Sequence, residues 1–212
     1  MESVLDRVIK QNTENVNLLK TKDYNIFSVL QIQSKEVLIC RMIADLLNPR
    51  GQHGAGAEYL KIFLRDCLGM EKMDTKLADQ AIVTAEYAID DERRIDIVIE
   101  MGSYFLPIEV KIYAADQKSQ CFDYYQYAKR RDAQAKVYYL TLDGHRPGKD
   151  STSSGSQSVP EEDIVCLSFR EHILNWLKSC KNYGNTGMIP ILEQFIHNIE
   201  QISGYTNEKV RN

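Results

Sequence analysis

Residues 94–111, RIDIVIEMGSYFLPIEVK, constrain the fold more than any other stretch of the chain. Two apolar runs flank the short segment MGSY, and each alternates with the period of a β-strand. Ile95, Ile97 and Ile99 point one way, and Asp96, Val98 and Glu100 the other. On the second run Leu106, Ile108, Val110 and Ile112 share a face, with Phe105, Pro107, Glu109 and Lys111 opposite. The aliphatic face requires helices to cover it. The other face carries Asp96, Glu109 and Lys111, where charge is expensive to hold.

Two readings compete for those charges. One is a solvated strand face with a cross-strand ion pair, worth well under ~1 kcal/mol. The other is a built site. If the strands pair around MGSY, Asp96 lies beside Glu109, about 5 Å away. Carboxylates that close repel, and one takes up a proton unless a cation neutralises both. A hard divalent ion with oxygen ligands and water suits such a pair. It would lower the pKa of a bound water and neutralise charge developing on a phosphoryl oxygen. Lys111, two residues from Glu109, would orient that water or the phosphate. The residue types suit metal-assisted hydrolysis of a phosphodiester.

The rest of the chain places this hairpin in a mixed α/β architecture, a central mixed sheet flanked by helices. Val4, Leu5, Val8, Ile9, Val16 and Leu19 give residues 3–20 a helical spacing. Ser34 is placed to cap a helix through SKEVLICRMIADLLNP, ended by Pro49 and Gly51. Gly54 to Leu68 reads as a second helix, and AIVTAEYAI (81–89) as a strand ending at Asp90-Asp91. Asp116 is placed to cap a helix over DQKSQCFDYYQYAKRRD, and KVYYLTLD (136–143) follows as a strand. Strand, helix, strand implies a right-handed crossover and a parallel pair. Residues 144–162, rich in Gly, Ser and Pro, read as a mobile loop. DIVCLSF is a short strand, and REHILNWLKSC and MIPILEQFIHNIEQI are closing helices. The expected organisation is a helical extension over 1–33 and one domain over 34–212.

Bulk properties narrow the class. With 212 residues, 43% hydrophobic and 26% charged, the chain is of globular composition. No apolar run approaches a membrane helix, and the polar N-terminus does not resemble a signal peptide. Five scattered cysteines without a CxxC pair point to reduced thiols and a cytoplasmic location. A net charge of −4 gives no broad phosphate grip, so any nucleic-acid contact must use local basic patches. Arg94 is the candidate among Arg93, Arg94, Lys129, Arg130 and Arg131. His53, in PRGQHGAG, is a candidate contact as well as a hydrogen-bonding strut. Tyr138 and Tyr139 are expected to pack in and beside the sheet rather than form a stacking platform.

Asp, a short hairpin, then Glu-x-Lys resembles the signature of the PD-(D/E)xK nuclease superfamily, the restriction-endonuclease-like fold. Gln117, Gln120 and Tyr124 on the following helix are similar to the Gln-x-x-x-Tyr element of its exonuclease-like branch. "EVLICRMIADLLNPRGQHGAGAEYLKIFL" and "RRIDIVI … IEVKIYAADQKSQ" resemble a bacterial group of that superfamily, a likeness running from about residue 34 to 142. The resemblance implies Mg2+ (or Mn2+) held by Asp96, Glu109, the Val110 carbonyl and Glu36. Lys111 would position the attacking water, and Gln120 would support Lys111 or the phosphate. Arg94, Gln117, Tyr124 and His53 would contact nucleic acid, DNA before RNA. Products would carry a 5′-phosphate and a 3′-hydroxyl, and a homodimer is compatible. Val110 stands where the group commonly has Asn, Cys121 where it has Leu, and Ile95 where the motif has proline; none of these side chains needs to touch the metal. The alternative is a catalytically silent scaffold of the same fold that binds nucleic acid or a protein partner.

Overall fold

The computed structural model describes residues 24–71 and 74–204. The helix expected over 3–20 lies outside the described residues. The chain opens with α1 (Ile26–Val29), α2 (Glu36–Leu47), α3 (Glu58–Asp66) and α4 (Thr75–Asp79). Strands β1 (Ile82–Ala88), β2 (Arg94–Met101) and β3 (Tyr104–Lys111) follow. Next come α5 (Gln120–Arg131), β4 (Val137–Thr141), α6 (Lys149–Thr152) and the tiny hairpin β5 (Ser153–Ser154) and β6 (Gln157–Ser158). Strand β7 (Ile164–Ser168), a wide turn over Phe169–Ile173, α7 (Leu174–Cys180) and α8 (Met188–Ile202) complete it.

The main sheet has the order β1-β2-β3-β4-β7. Its first three strands are antiparallel, whereas β3, β4 and β7 run parallel. The turn between β2 and β3 is two residues long, with Met101 paired to Tyr104. Gly102 takes φ +57, and a β-carbon there would come within 3.1 Å of the Leu77 side chain. A glycine in the first turn position matches the right-handed twist of the strands. The α5 crossover then returns the chain to lay β4 parallel to β3, the mixed sheet expected from strand–helix–strand order.

Every residue of β3 from Phe105 to Lys111 is buried, because both faces of the sheet are covered. On one face Ile97, Ile99, Leu106, Ile108 and Val110 join the core built by α2, α3, α7 and α8. On the other, Val98, Phe105 and Tyr139 pack on Cys121, Tyr124 and Ala128 of α5. The alternation read from sequence holds over most of the hairpin and fails at one place. Ile95 joins the α5 side with Val98, not the side of Ile97 and Ile99. The partner strand changes face at the same level. Ala85 packs on the first core and Tyr87 on the second, with Glu86 between them at φ +53. That left-handed residue reverses the pleat of β1 opposite Asp96.

Other boundaries move for local reasons. Gly54 and Gly56 take φ +69 and +59, so α3 begins at Glu58 rather than Gly54. Ser34 does not cap α2, whose N-cap is Lys35 without a side-chain bond. Asp116 does not cap α5 either, because Ser119 sits at the N-cap with φ +56. The segment 144–162 holds regular structure that its composition conceals. Ser119 N–H donates to Asp150 O (2.7 Å), the Ser119 hydroxyl donates to Ser153 O (2.8 Å), and Ser151 and Val159 are buried. Small polar residues are what let this segment lie flat against the start of α5.

Candidate functional site

The pleat reversal opens the sheet where the acidic residues lie. In register Asp96 faces Glu109, yet β2–β3 pairing stops at Ile97–Ile108. The Val110 N–H, left without a strand partner, donates to Asp96 Oδ2 at 2.8 Å. The next N–H on that edge, Ile112, donates to Glu36 Oε2 from the first turn of α2, also at 2.8 Å. Two carboxylates therefore replace main-chain carbonyls along one edge of β3. In an extended strand the N–H and C=O of a residue point to the same side, so the Val110 carbonyl is turned into the gap between them.

Glu109 and Lys111 project on the α5 face beside this gap. Glu109 is 1% exposed and Lys111 7% exposed. Lys111 Nζ donates to Glu109 Oε1 at 2.5 Å. The other oxygen, Oε2, is buried without a hydrogen-bond partner among the described residues. An orphaned carboxylate oxygen at this depth costs the desolvation of a charged group unless something fills it.

The electrostatics follow from burial and crowding. Burial pushes Glu109 well above the usual carboxylate range, and the neighbouring Asp96 charge pushes it further. Burial also raises Asp96, opposed by the Val110 N–H and by Lys111. Burial alone would lower Lys111, but the charges of Glu109, Asp96 and Glu36 outweigh it and hold the ammonium protonated. Cys40, one turn after Glu36 on α2, lies beneath the cluster. Its thiol is pushed up by burial and then by Asp96, Glu36 and Glu109. The site is thus an excess of negative charge under one cation.

That donor set fits a hard divalent ion. Asp96 and Glu109 supply adjacent carboxyl oxygens that interact with each other, and Glu36 Oε2 is taken up by the Ile112 N–H. Among the described residues no group of three or more His, Cys, Asp and Glu is placed to hold a metal ion, so the protein's carboxylate share of such a site is Asp96 and Glu109. An open set of this kind suits Mg2+, which keeps several waters and takes one or two carboxylates from the protein.

The remaining sequence-predicted residues divide. Gln120 is buried on the first turn of α5, and its Nε2 donates to the Tyr124 hydroxyl at 3.1 Å. That hydroxyl donates to the main-chain carbonyl of Arg94. The i, i+4 pair therefore braces α5 against the strand that carries Asp96. Tyr124 is fully buried, so the expected nucleic-acid contact is corrected to a strut. Gln117 is exposed, with its Oε1 accepting from Arg93 Nη1 at 2.9 Å. The Arg94 side chain is exposed and has no ion-pair partner among the described residues.

His53 is 2% exposed, and its Nε2 lies 3.0 Å from Asn48 O while its Nδ1 accepts from Ala55 N–H at 3.1 Å. It stacks on Tyr59 beyond the C-terminal end of α2, whereas Glu36 is at the other end, about 16 Å of helix away. With the ring buried and both nitrogens engaged within the loop, the His53 contact is likewise corrected to a loop strut.

Two roles escaped sequence reading. Arg93 clamps the start of α5 through Asp123 (3.0 Å), Gln117 and Lys118 O (2.6 Å). Tyr139, in parallel register with Glu109, donates to Asp116 Oδ1 at 2.6 Å, and Asp116 Oδ2 accepts from Gly148 N–H at 2.7 Å. Only the strand register, which the sequence does not state, could have linked Tyr139 to the site.

A mixed five-stranded sheet with helices on both faces, and Asp…Glu-x-Lys at the point where its hairpin splays, defines a restriction-endonuclease-like fold. The chain belongs to the PD-(D/E)XK nuclease superfamily, whose family model matches residues 24–197. No curated protein and no solved structure shows significant similarity to it.

Proposed function

We propose that this protein is a Mg2+-dependent nuclease that hydrolyses phosphodiester bonds of nucleic acid, DNA before RNA. The observation that carries the reading is the buried carboxyl at the splayed hairpin: Glu109, with one oxygen on Lys111, is crowded against Asp96. A strand face merely decorated with charge would be solvated, and this one is buried.

Asp96, Glu109, Glu36 and the Val110 carbonyl would hold the ion, with Mn2+ an acceptable substitute. When bound, it supplies neutralisation of charge on the phosphoryl oxygens. Lys111, rigidly placed by its Glu109 bond, stays protonated and donates to the scissile phosphate or orients the attacking water. Gln120 acts through Tyr124, holding α5 against β2 so that Asp96 and Glu109 keep their spacing. Arg94 offers an exposed guanidinium, without an ion-pair partner among the described residues, to a phosphate beside the site. A cytoplasmic setting is part of the proposal, in keeping with five free thiols. No described helix is long and apolar enough to cross a membrane.

The test is cleavage of linear duplex, single-stranded and structured DNA and RNA with Mg2+ by the parent protein and by Lys111→Ala. Parent activity that is lost in the variant and in EDTA supports the reading. If both proteins are equally inert on every substrate while calorimetry shows no Mg2+ or Mn2+ binding, the silent scaffold replaces it.

A further inference from the structure

Segment 144–162 does more than lie against the start of α5. It walls a cleft of about 420 Å³ on the α5 side of the edge strand β7. The apolar wall is Pro147, Val159 and Ile164, and the last two pack on Phe122 of α5. The polar wall is Arg146, Lys149 and Glu161. Two cations against one carboxylate make this lining positive in a chain whose net charge is −4.

Both walls are held in place. Gly148 N–H donates to Asp116 Oδ2, Cys121 N–H to the Ser151 hydroxyl at 3.3 Å, and Val159 N–H to Thr152 O at 2.9 Å. Arg146 Nη2 donates to the main-chain carbonyl of Glu161 at 3.0 Å, which sets a guanidinium beside a carboxylate-bearing residue. Its remaining N–H groups have no hydrogen-bond partner among the described residues, and neither has the Lys149 ammonium. The Arg146 charge also reaches Cys166 on β7, where it opposes the rise that burial imposes on the thiol.

The strand register fixes the distance from this cleft to the acidic cluster. Cys166, which packs on the apolar wall, is level with Tyr139, and Tyr139 is level with Glu109. Two strand spacings, about 10 Å, lie between Cys166 and Glu109. A stacked nucleic-acid strand carries one phosphate per ~3.4 Å of axis, so about three nucleotides span that distance.

The lining answers each part of a nucleotide. The volume is that of a small-ligand pocket, in which apolar walls take a ring and a few polar groups orient it. A base would lie against Pro147, Val159 and Ile164, with Arg146 donating to its edge and Glu161 accepting from it. Lys149 would take the phosphate through a charge-assisted bond. Inorganic phosphate alone leaves the apolar wall unused, and an uncharged apolar ligand leaves both cations unused.

We infer that the cleft between Arg146, Lys149 and Ile164 binds one nucleotide of the substrate strand, about three positions from the phosphate at Glu109. The inference rests on the nuclease reading, and its test measures binding without turnover so that the two fail separately.

Calorimetry on the full-length chain in EDTA is that test. The probes are the 5′-mononucleotides, ribose 5-phosphate, inorganic phosphate and a short single-stranded oligonucleotide. The variants are Arg146→Ala and Ser158→Trp. Ser158 lines the cleft and is exposed, so the indole fills the space without entering the core. An unchanged Tm verifies the fold of each variant, and Lys149→Ala replaces any variant whose Tm falls. The parent should bind mononucleotides at least about tenfold tighter than ribose 5-phosphate or phosphate, and the oligonucleotide tighter still. Each substitution should weaken nucleotide binding at least about tenfold. Absence of saturable binding, equal affinity for phosphate, or affinity unchanged in the folded variants overturns the inference. A mononucleotide that outcompetes the oligonucleotide overturns it too, because the ligand is then a free nucleotide. A parent that binds as expected yet cleaves no nucleic acid with Mg2+ sinks the nuclease reading and supports the cleft. Cleavage lost in Lys111→Ala, with nucleotide binding indifferent to the cleft variants, sinks the cleft alone.

Discussion

Replacing Asp96 by Asn inverts the usual expectation for a mutation in a hydrogen-bonded, half-buried residue. The Asn carbonyl still accepts from Val110 N–H, so the main-chain bond at 2.8 Å is kept. What disappears is a negative charge beside Glu109. At the cross-strand separation of about 5 Å and an effective dielectric near 20, two such charges repel by about 3 kcal/mol. Proton uptake by Glu109 limits that cost, which leaves about 1–3 kcal/mol for the substitution to recover. For a chain of this size each kcal/mol moves Tm by about 2–4 °C, so Asp96→Asn should unfold about 2–12 °C above the parent in EDTA.

The pH dependence has a definite sign. Both Asp96 and Glu109 titrate higher in the folded protein than in the unfolded chain. Their contribution is complete below the unfolded carboxylate range and is lost as pH rises through the raised folded values. The gap between variant and parent in EDTA should therefore widen from pH 4 upward. Mg2+ reverses the order. At one hundred times its dissociation constant it stabilises the parent by about 2.7 kcal/mol, about 5–11 °C, and should do little for the variant. Scanning calorimetry in EDTA and then in MgCl2 checks both halves. A variant less stable than the parent in EDTA, or equal Mg2+ stabilisation of the two, would refute the reasoning, since a structural ion network behaves that way.

Further outcomes follow from the same contacts. Lys111→Met should abolish cleavage while leaving hydrogen-exchange protection of β3 in place, because methionine fills the buried stem but donates no proton. Tyr124→Phe should cost about 1–2 kcal/mol by removing the hydroxyl shared by Arg94 O and Gln120, and chemical denaturation will measure it. Gln31→Gly should raise stability by about 1 kcal/mol, since Gln31 is exposed at φ +54 and its side chain has no hydrogen-bond partner among the described residues; an unchanged midpoint counts against the strain. Gly102→Ala should lower Tm, because it combines φ +57 with a 3.1 Å approach to Leu77.

Much of this protein was legible along the chain. Alternation over 94–111 is a local property, and it located the hairpin, a turn within MGSY and the aliphatic face that buries against helices. Residue order alone implied the parallel β3–β4 pair and so the mixed sheet. Glu109 and Lys111 had to share a face because they are two apart in a strand. Those features depend on period and connectivity, which are written in sequence.

What tertiary structure decided concerns partners that come from elsewhere in the chain. The pleat reversal at Glu86 swings Ile95 to the α5 side and ends the β2–β3 ladder at Ile97. The free N–H groups of Val110 and Ile112 then take carboxylates from β2 and from α2, which no spacing rule foretells. His53 and Tyr124 looked available in the sequence because it does not record burial. The fold encloses both, since His53 closes its own loop and Tyr124 braces Arg94. The hairpin thus carried the site's chemistry from the start. Its geometry arose only where two strands stopped pairing and side-chain carboxylates took over their hydrogen bonds.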